Sequence, residues 1–243
     1  MIDYEYTNKN ITPWGGLRLI ADFYERCGLR DAIKALPLPE PGSNRGYQPS
    51  EIIDGFITSV LLGARRFSHS GTLRHDEVIK EIFGWRKGMA SQSTFSRFFR
   101  KFSLEDNDTI FRQLNRWWFD QQKIDKYTVD MDSTVLTRYG EQDGVEQGYN
   151  PKRHGRGSHH PLMAFVAEVK MVVQAWMRTG DSASSTLMKE FFDEVLAVLD
   201  KKRIGLIRAD SGFYGNENLQ YFESHNLTYI ISAKMNGGLV QQI

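Results

Sequence analysis

The pattern of apolar residues changes character near residue 124, and this change limits the possible folds more than any other feature of the sequence. Before it, apolar residues recur at helical spacing, as in Ile52, Phe56 and Val60. After it, short runs rich in β-branched and aromatic residues appear, with amphipathic segments between them. The sequence therefore predicts an α/β protein, with an all-helical region at 1–123 followed by a mixed β-sheet with helices at 124–243.

Spacing and capping residues predict several helices in the first region. They are a helix that starts at Pro49 and Ser50, a helix over 73–84 closed by Gly84, a helix within 91–102, and a helix over 103–123 capped by Ser103. Residues 36–49 contain several prolines and are predicted to be a loop. Residues 73–102 are similar to a helix-turn-helix in helix length and basic content, although many helical hairpins share those features.

In the second region, strands and helices are predicted to alternate. The predicted order is a strand at 127–131, a long loop at 139–161, a hairpin within 162–177, a helix over 183–200, a strand at 204–210, a helix over 216–225 and a strand at 228–233. Leu187, Phe191, Val195 and Leu199 lie in line on the helix over 183–200 and predict its buried face.

Two aspartates end predicted strands in similar surroundings. Asp132 ends the first strand in VDMDST, and Asp210 ends a later one in LIRADSGF. Acids at strand ends face the crevice where open α/β sheets bind ligands. Hard divalent cations prefer oxygen ligands, and a pair of them can promote phosphoryl transfer. The pattern favours a metal site, and the alternative is that both acids are turn residues or solvated strand ends.

Asp130 leaves the first of these positions open. It precedes Asp132 by two residues, so both side chains point to the same face of a strand. The residue chemistry alone does not decide which of the two is the ligand.

The segment YNPKRHGRGSHHP at 149–161 concentrates positive charge in a glycine-rich loop. Lys152, Arg153 and Arg156 are suited to grip a phosphate backbone. The nearby histidines raise zinc as an alternative, but neither a cysteine nor an HExxH spacing accompanies them. A plain solvated loop is the other alternative.

Four segments together resemble the DDE transposases of bacterial insertion sequences. They are VDMDSTV, YGEQDGVEQGYNPKRHGRGSHHPL, RTGDSASS and RADSGF, and LRHDEVIKEIFG and SQSTFSRFF extend the similarity upstream. The resemblance implies an RNase H-like catalytic domain at 124–243 that cuts and joins DNA with Mg²⁺ or Mn²⁺. It also implies that the helical region at 1–123 binds DNA and helps to recognise the end sequences of the element. It implies that Asp132 and Asp210 are the first and second catalytic acids and metal ligands, and it favours Asp132 over Asp130 because Ser133 and Thr134 follow directly.

The sequence departs from this family pattern after the second acid. The resemblance implies a third acid, a glutamate on a helix well beyond Asp210, whereas the printed sequence stops at Ile243. Glu217 and Glu223 lie too early and are not assigned. The expectation is thus a transposase truncated before its third acid, and the alternative is a non-catalytic DNA-binding protein that occupies the element's ends or inhibits transposition.

The expected partner is DNA, both the terminal repeats of the element and the target, and a homodimer is left open. The balance of 31 Lys and Arg against 30 Asp and Glu excludes a globally basic chain, so DNA contacts must come from local clusters such as Arg97, Arg100 and Lys101. No signal peptide, membrane-length apolar run or cysteine pair is visible, which favours a cytoplasmic, nucleoid-associated protein without a membrane partner.

Overall fold

The computed structural model describes residues 5, 7–43, 45–200 and 203–233. The chain divides into two compact units, 1–114 and 115–243, and the division falls inside the helix Leu104–Asp120. Residue 124 marks the change from helices to strands, and its use as a domain boundary stays a prediction. Within the described ranges, no helix is both long and apolar enough to cross a membrane.

The described part of the first unit is helical. Its helices are α1 (Leu17–Cys27), α2 (Leu29–Lys34), α3 (Pro49–Leu61), α4 (Ser70–Leu73), α5 (Glu77–Phe83), α6 (Gln92–Phe99) and the first part of α7 (Leu104–Asp120). Proline at the first position of α3 fits the sequence prediction, because that position needs no backbone donor. Buried aromatic and aliphatic residues, among them Ile79, Phe83 and Phe95, form the core of this unit.

The predicted helix over 73–84 is shorter than expected. Asp76 caps α5 by accepting a hydrogen bond from the backbone N–H of Ile79 at 3.0 Å, so the helix begins at Glu77. Gly84 ends α5 in the left-handed conformation, as predicted. The predicted helix over 103–123 is also shorter, since α7 ends at Asp120.

A buried carboxylate joins three elements of the first unit. The indole N–H of Trp85 donates to Asp54 Oδ2 at 2.9 Å, and the Nε of Arg30 lies 3.7 Å from the same oxygen. Burial raises the pKa of the Asp54 carboxyl above its usual value, and the Trp85 hydrogen bond opposes this shift.

The second unit contains a five-stranded mixed sheet. The strands are β1 (Tyr127–Ser133), β5 (Leu162–Val166), β6 (Met171–Trp176), β7 (Ile204–Ala209) and β8 (Tyr229–Ile231), in the order β6-β5-β1-β7-β8. The pairs β5·β6 and β1·β5 are antiparallel, and the pairs β1·β7 and β7·β8 are parallel. The predicted α/β class, with a mixed sheet and helices, is confirmed, and so is the hairpin within 162–177.

Two helices cover the sheet. They are α8 (Met188–Leu199) and α9 (Asn216–Ser224), and Phe191, Phe192 and Phe222 of these helices are buried in one core with the sheet. The prediction that α8 starts at 183 and buries Leu187 is wrong. Leu187 precedes the helix with φ 54° and a relative exposure of 53%, because residues 183–187 form a loop.

The predicted loop 139–161 is also partly wrong, because it contains strands. A three-stranded sheet in the order β2-β4-β3 forms from β2 (Leu136–Thr137), β3 (Glu146–Gln147) and β4 (Gly157–His159). Gly180 packs against the backbone of this sheet, where an added Cβ would overlap the carbonyl oxygens of Glu146 and Ser158. Residues far downstream therefore fix this small sheet, which local sequence patterns do not reveal.

Asp54→Asn is expected to flatten the pH dependence of stability. A carboxyl whose pKa is raised in the folded state binds more protons than in the unfolded state, so its effect on the free energy of unfolding becomes less favourable as pH rises above about 3.9, the pKa of an unfolded aspartate. Urea unfolding at several pH values should show a smaller decline with rising pH for Asp54→Asn than for the unchanged chain. The exposed Asp31→Asn is the control, and equal pH profiles for the Asp54→Asn and Asp31→Asn variants would refute the assignment.

Gly180→Ala is expected to lower the free energy of unfolding by about 1–3 kcal/mol, because the methyl group would overlap the carbonyls of Glu146 and Ser158. Gly140→Ala is the matched control, since the nearest atom to its new methyl would be the Gln142 side-chain nitrogen at 3.6 Å. Chemical unfolding of both variants measures the difference. If Gly180→Ala and Gly140→Ala lower the free energy of unfolding equally, the close contact between Gly180 and the two carbonyls would be refuted.

Candidate active site

The register of the sheet places Asp132 and Asp210 side by side. Met131 of β1 pairs with Ala209 of β7 in the parallel ladder, and each aspartate is the next residue along its chain. Neighbouring strands lie about 4.8 Å apart, so the two acids occupy adjacent positions at the same edge of the sheet. Both residues are exposed, and both are accessible to a ligand from solvent.

Asp130 is engaged elsewhere. The Arg208 guanidinium donates from Nε and Nη2 to its two carboxylate oxygens at 2.6 and 2.7 Å. The hydrogen bond from Arg208 to Asp130 raises the pKa of the guanidinium above its usual value. By contrast, the Asp132 carboxylate makes no hydrogen bond or ion pair with residues in the described ranges. Which of the two aspartates is a metal ligand stays a prediction, and the resemblance favours Asp132.

Asp210 is held by the turn that follows it. Its Oδ1 accepts a hydrogen bond from the backbone N–H of Gly212 at 2.8 Å, which caps the short 3₁₀ turn Ser211–Phe213. Phe213 is buried in the core of the unit and fixes the end of the turn. The carboxylate therefore has a defined position with oxygen lone pairs left over.

A loop over 178–187 joins the surroundings of both acids. The hydroxyl groups of Ser133, next to Asp132, and Ser184 lie 2.7 Å apart. An added Cβ on Gly212 would be 2.9 Å from Ser184 Oγ and 2.9 Å from Asp210 Oδ1. Ser184 thus touches the residues that flank each acid, and a side chain at position 212 would disturb the second one.

Arg178 organises this loop from within. Its side chain is 7% exposed, and it donates to the carbonyls of His160, Ala183 and Thr186 at 2.8–3.1 Å. Burial lowers the pKa of the guanidinium, which still remains protonated near neutral pH and donates only. Its Nη2 is buried without a hydrogen-bond partner among the described residues.

The basic loop lies between β3 and β4. Lys152, Arg153 and Arg156 are all exposed, and the Arg156 guanidinium lies 5.6 Å from the centre of the Tyr139 ring. The ladder between β1 and β5 continues at this end, where Thr134 N–H donates to the Pro161 carbonyl at 3.2 Å. The small sheet that carries the basic loop therefore begins at the end of β1 where Asp132 lies.

Two of the three histidines of this loop, His159 and His160, have structural roles, whereas His154 is exposed. Arg138 Nε donates to His159 Nδ1 at 3.0 Å, so His159 Nε2 carries the proton and donates to the Asp143 carbonyl at 2.9 Å. His160 Nε2 donates to the Tyr149 carbonyl at 2.7 Å. These contacts use both ring nitrogens of His159 and the Nε2 of His160. Among the residues that the structure describes, no three His, Cys, Asp or Glu side chains are grouped as metal ligands.

The basic residues predicted on the first unit differ in their surroundings. Arg97 and Arg100 are exposed, and neither forms an ion pair within the described ranges. Lys101 is exposed as well, but its Nζ donates to the Glu40 carbonyl at 2.7 Å. As DNA contacts, all three stay predictions.

Sequence reasoning missed Arg178, Ser184 and Gly212 as supports of the site. The segment RTGDSASS was part of the resemblance, yet no single residue in it received a role. The polar, glycine-containing composition of that segment was the available signal, whereas the contacts of Ser184 reach across 51 positions in the sequence.

The sequence of this chain matches the model of one known protein family. A family model described as "Transposase DDE domain group 1" matches residues 1–243. No curated protein matches this chain.

Solved structures with similarity to this chain include three DNA transposase assemblies. The piggyBac transposase synaptic complex with hairpin DNA is 13% identical, with a TM-score of 0.44 over 90% of this chain and 51% of that one. The Mos1 mariner paired end complex with Mn is 10% identical, with a TM-score of 0.31 over 90% of this chain and 78% of that one. The Drosophila P element transposase strand transfer complex is 8% identical, with a TM-score of 0.38 over 89% of this chain and 48% of that one. This chain thus spans about half the length of the piggyBac and P element proteins.

A double-mutant cycle on Ser133→Ala and Ser184→Ala tests the contact between the end of β1 and the loop over 178–187. A shared hydrogen bond predicts a coupling of about 0.5–1.5 kcal/mol in the free energy of unfolding, because the second substitution costs little once the first is present. Ser133→Ala with Ser185→Ala is the control pair, since Ser185 is an exposed neighbour of Ser184. Additive losses for Ser133 and Ser184 would contradict the contact.

Proposed function

Because this chain belongs to the transposase family with a DDE domain of group 1, we propose that it is a DNA transposase that cleaves and joins strands at the ends of a bacterial insertion sequence. Its proposed partners are the terminal repeats and the target DNA, and a second copy of the chain. The parallel register of β1 and β7 is the observation that carries this proposal, since it brings Asp132 and Asp210 to neighbouring strand ends.

Asp132 and Asp210 are the proposed catalytic acids and ligands of Mg²⁺ or Mn²⁺. Their donor set fits such an ion, because both are exposed carboxylates with free oxygen lone pairs, and hard divalent cations prefer oxygen. A bound ion would supply Lewis-acid chemistry that polarises a phosphodiester and activates water. Neighbouring residues hold the two carboxylates in place. The Gly212 N–H orients Asp210, and the contact between Ser133 and Ser184 fixes the backbone beside Asp132.

The pair of Asp130 and Arg208 supports this division of roles. The Arg208 guanidinium donates two hydrogen bonds to the Asp130 carboxylate, so the Asp132 carboxylate is left without a partner among the described residues.

Lys152, Arg153 and Arg156 are the proposed contacts to the DNA backbone near the acids. Their side chains are exposed at the edge of the small sheet, and contacts of this type fix the register of a duplex without reading its sequence. The Tyr139 ring beneath Arg156 limits the orientations of that guanidinium.

Localised cleavage of the protein by bound Fe²⁺ tests the metal site. Iron in the presence of ascorbate and peroxide cuts the backbone near the place where it binds, so we expect fragments that end near residues 132 and 210. Asp132→Asn and Asp210→Asn should each abolish both cuts, because each removes a carboxylate ligand. Excess Mg²⁺ should suppress the cuts by competition.

Asp130→Asn is the matched control, since it lies on the same strand face and pairs with Arg208. It should keep both cuts. Loss of the cuts in Asp130→Asn, with retention in Asp132→Asn, would reverse the assignment. Cuts that persist in Asp132→Asn and Asp210→Asn alike would refute the proposed site.

A further inference from the structure

Two tyrosines of the small sheet have rings that lie almost entirely in solvent. The relative exposures of Tyr139 and Tyr149 are 71% and 75%, the highest among the aromatic residues that the structure describes. We call these two residues the tyrosine pair. Exposure alone is common at protein surfaces, whereas a fixed backbone and adjacent cations distinguish the tyrosine pair.

Buried polar side chains hold the backbone at Tyr149. The Nε2 of His160, a buried residue, donates to the Tyr149 carbonyl at 2.7 Å. The next residue, Asn150, is also buried, and its amide donates to Thr137 Oγ1 at 3.1 Å and accepts from the Arg153 N–H at 3.0 Å. The ring of Tyr149 contacts no other ring and no cation within the described ranges. It is therefore an open aromatic surface on a fixed support.

One arginine connects the two tyrosines. The Arg156 guanidinium lies over one face of the Tyr139 ring, 5.6 Å from its centre. The Arg156 carbonyl accepts from the amide of Asn150, the residue after Tyr149, at 3.5 Å. Tyr139 and Tyr149 thus lie near each other, and the high exposure of Tyr139 leaves the second face of its ring open.

Unpaired cations lie beside the tyrosine pair. Lys152, Arg153 and Arg156 are exposed and form no ion pair within the described ranges. The acidic residues of the small sheet lie in β3 and the connection before it, and they are Glu141, Asp143 and Glu146. Exposed rings next to cations are typical of surfaces that bind single strands, because bases stack on the rings while the cations attract phosphates. In a duplex the bases already stack on each other, so the rings gain little from it.

We propose that Tyr139 and Tyr149 stack on unpaired bases of a DNA strand and thereby select single-stranded over fully paired DNA. This rests on the proposed function and adds the form of its substrate, a strand that is unpaired near the acids. The small sheet supplies the connection. Thr134, two residues after Asp132, donates to the Pro161 carbonyl, and the neighbouring His160 holds Tyr149.

The test uses the full chain, EDTA and three fluorescein-labelled DNAs: a single strand, the same strand without bases, and the matching duplex. Fluorescence anisotropy at several salt concentrations gives the affinities. Tyr139→Leu and Tyr149→Leu should each weaken binding of the single strand by roughly 5- to 150-fold, the range for one lost stacked base. Binding of the abasic strand and of the duplex should stay unchanged, because neither offers a free base.

Two controls separate the ring from its surroundings. Tyr139→Phe and Tyr149→Phe keep the ring and should bind the single strand like the unchanged protein. Lys152→Ala should weaken binding of the intact and abasic strands alike, and lower the slope of log affinity against log salt by about 0.7, the value for one phosphate contact in a single strand. The leucine variants should leave that slope unchanged.

The outcomes separate this proposal from the proposed function, since EDTA removes divalent cations from the binding assay. If the unchanged protein binds the abasic strand as tightly as the intact one, no base is stacked and the tyrosine proposal fails. It also fails if the leucine variants bind the single strand like the unchanged protein, or if the phenylalanine variants lose as much affinity as the leucine variants. If no DNA binds at low salt, the tyrosine proposal is overturned, and the iron cleavage experiment still judges the carboxylates.

Discussion

The parallel pairing of β1 with β7 determines where the two aspartates of the proposed site lie. Because Met131 pairs with Ala209, the residues that follow are brought to the same edge of the sheet from positions almost eighty residues apart in the chain. If this register shifted by one residue, one aspartate would move along its strand relative to the other, and its side chain would point to the opposite face of the sheet. Burial of Val129, Met131 and Ile207 on the other face holds the register.

The loop over 178–187 packs against the residues near both aspartates and helps to hold them in place. Arg178 binds several of the loop's carbonyls, and Ser184 then reaches both Ser133 and Gly212. A buried guanidinium that lost these acceptors would leave unpaired donors in a place without water, which is costly. The same loop packs on the small sheet through Gly180, so the basic loop and the acids are supported by one segment.

Much of the fold was predictable from local patterns, and the supports of the site were not. Alternation and strand-ending acids predicted β1, β7 and the two aspartates, because those signals lie within a few residues. The early start assigned to α8 failed because helical spacing continues through Leu187, although contacts with Arg178 hold residues 183–187 as a loop. The small sheet was missed because its strands are two or three residues long and depend on packing against Gly180. The pairing of Asp130 with Arg208 could not be predicted either, because the two residues are 78 positions apart in the chain.

The central claim is that Asp132 and Asp210 together hold a divalent cation beside DNA. A crystal of the chain soaked with Mn²⁺ and measured at an X-ray wavelength that gives anomalous scattering tests it most directly. We expect an anomalous peak bonded to a carboxylate oxygen of each aspartate, with Asp130 still paired to Arg208. A peak at Asp130 or among the loop histidines, with none between Asp132 and Asp210, would contradict it.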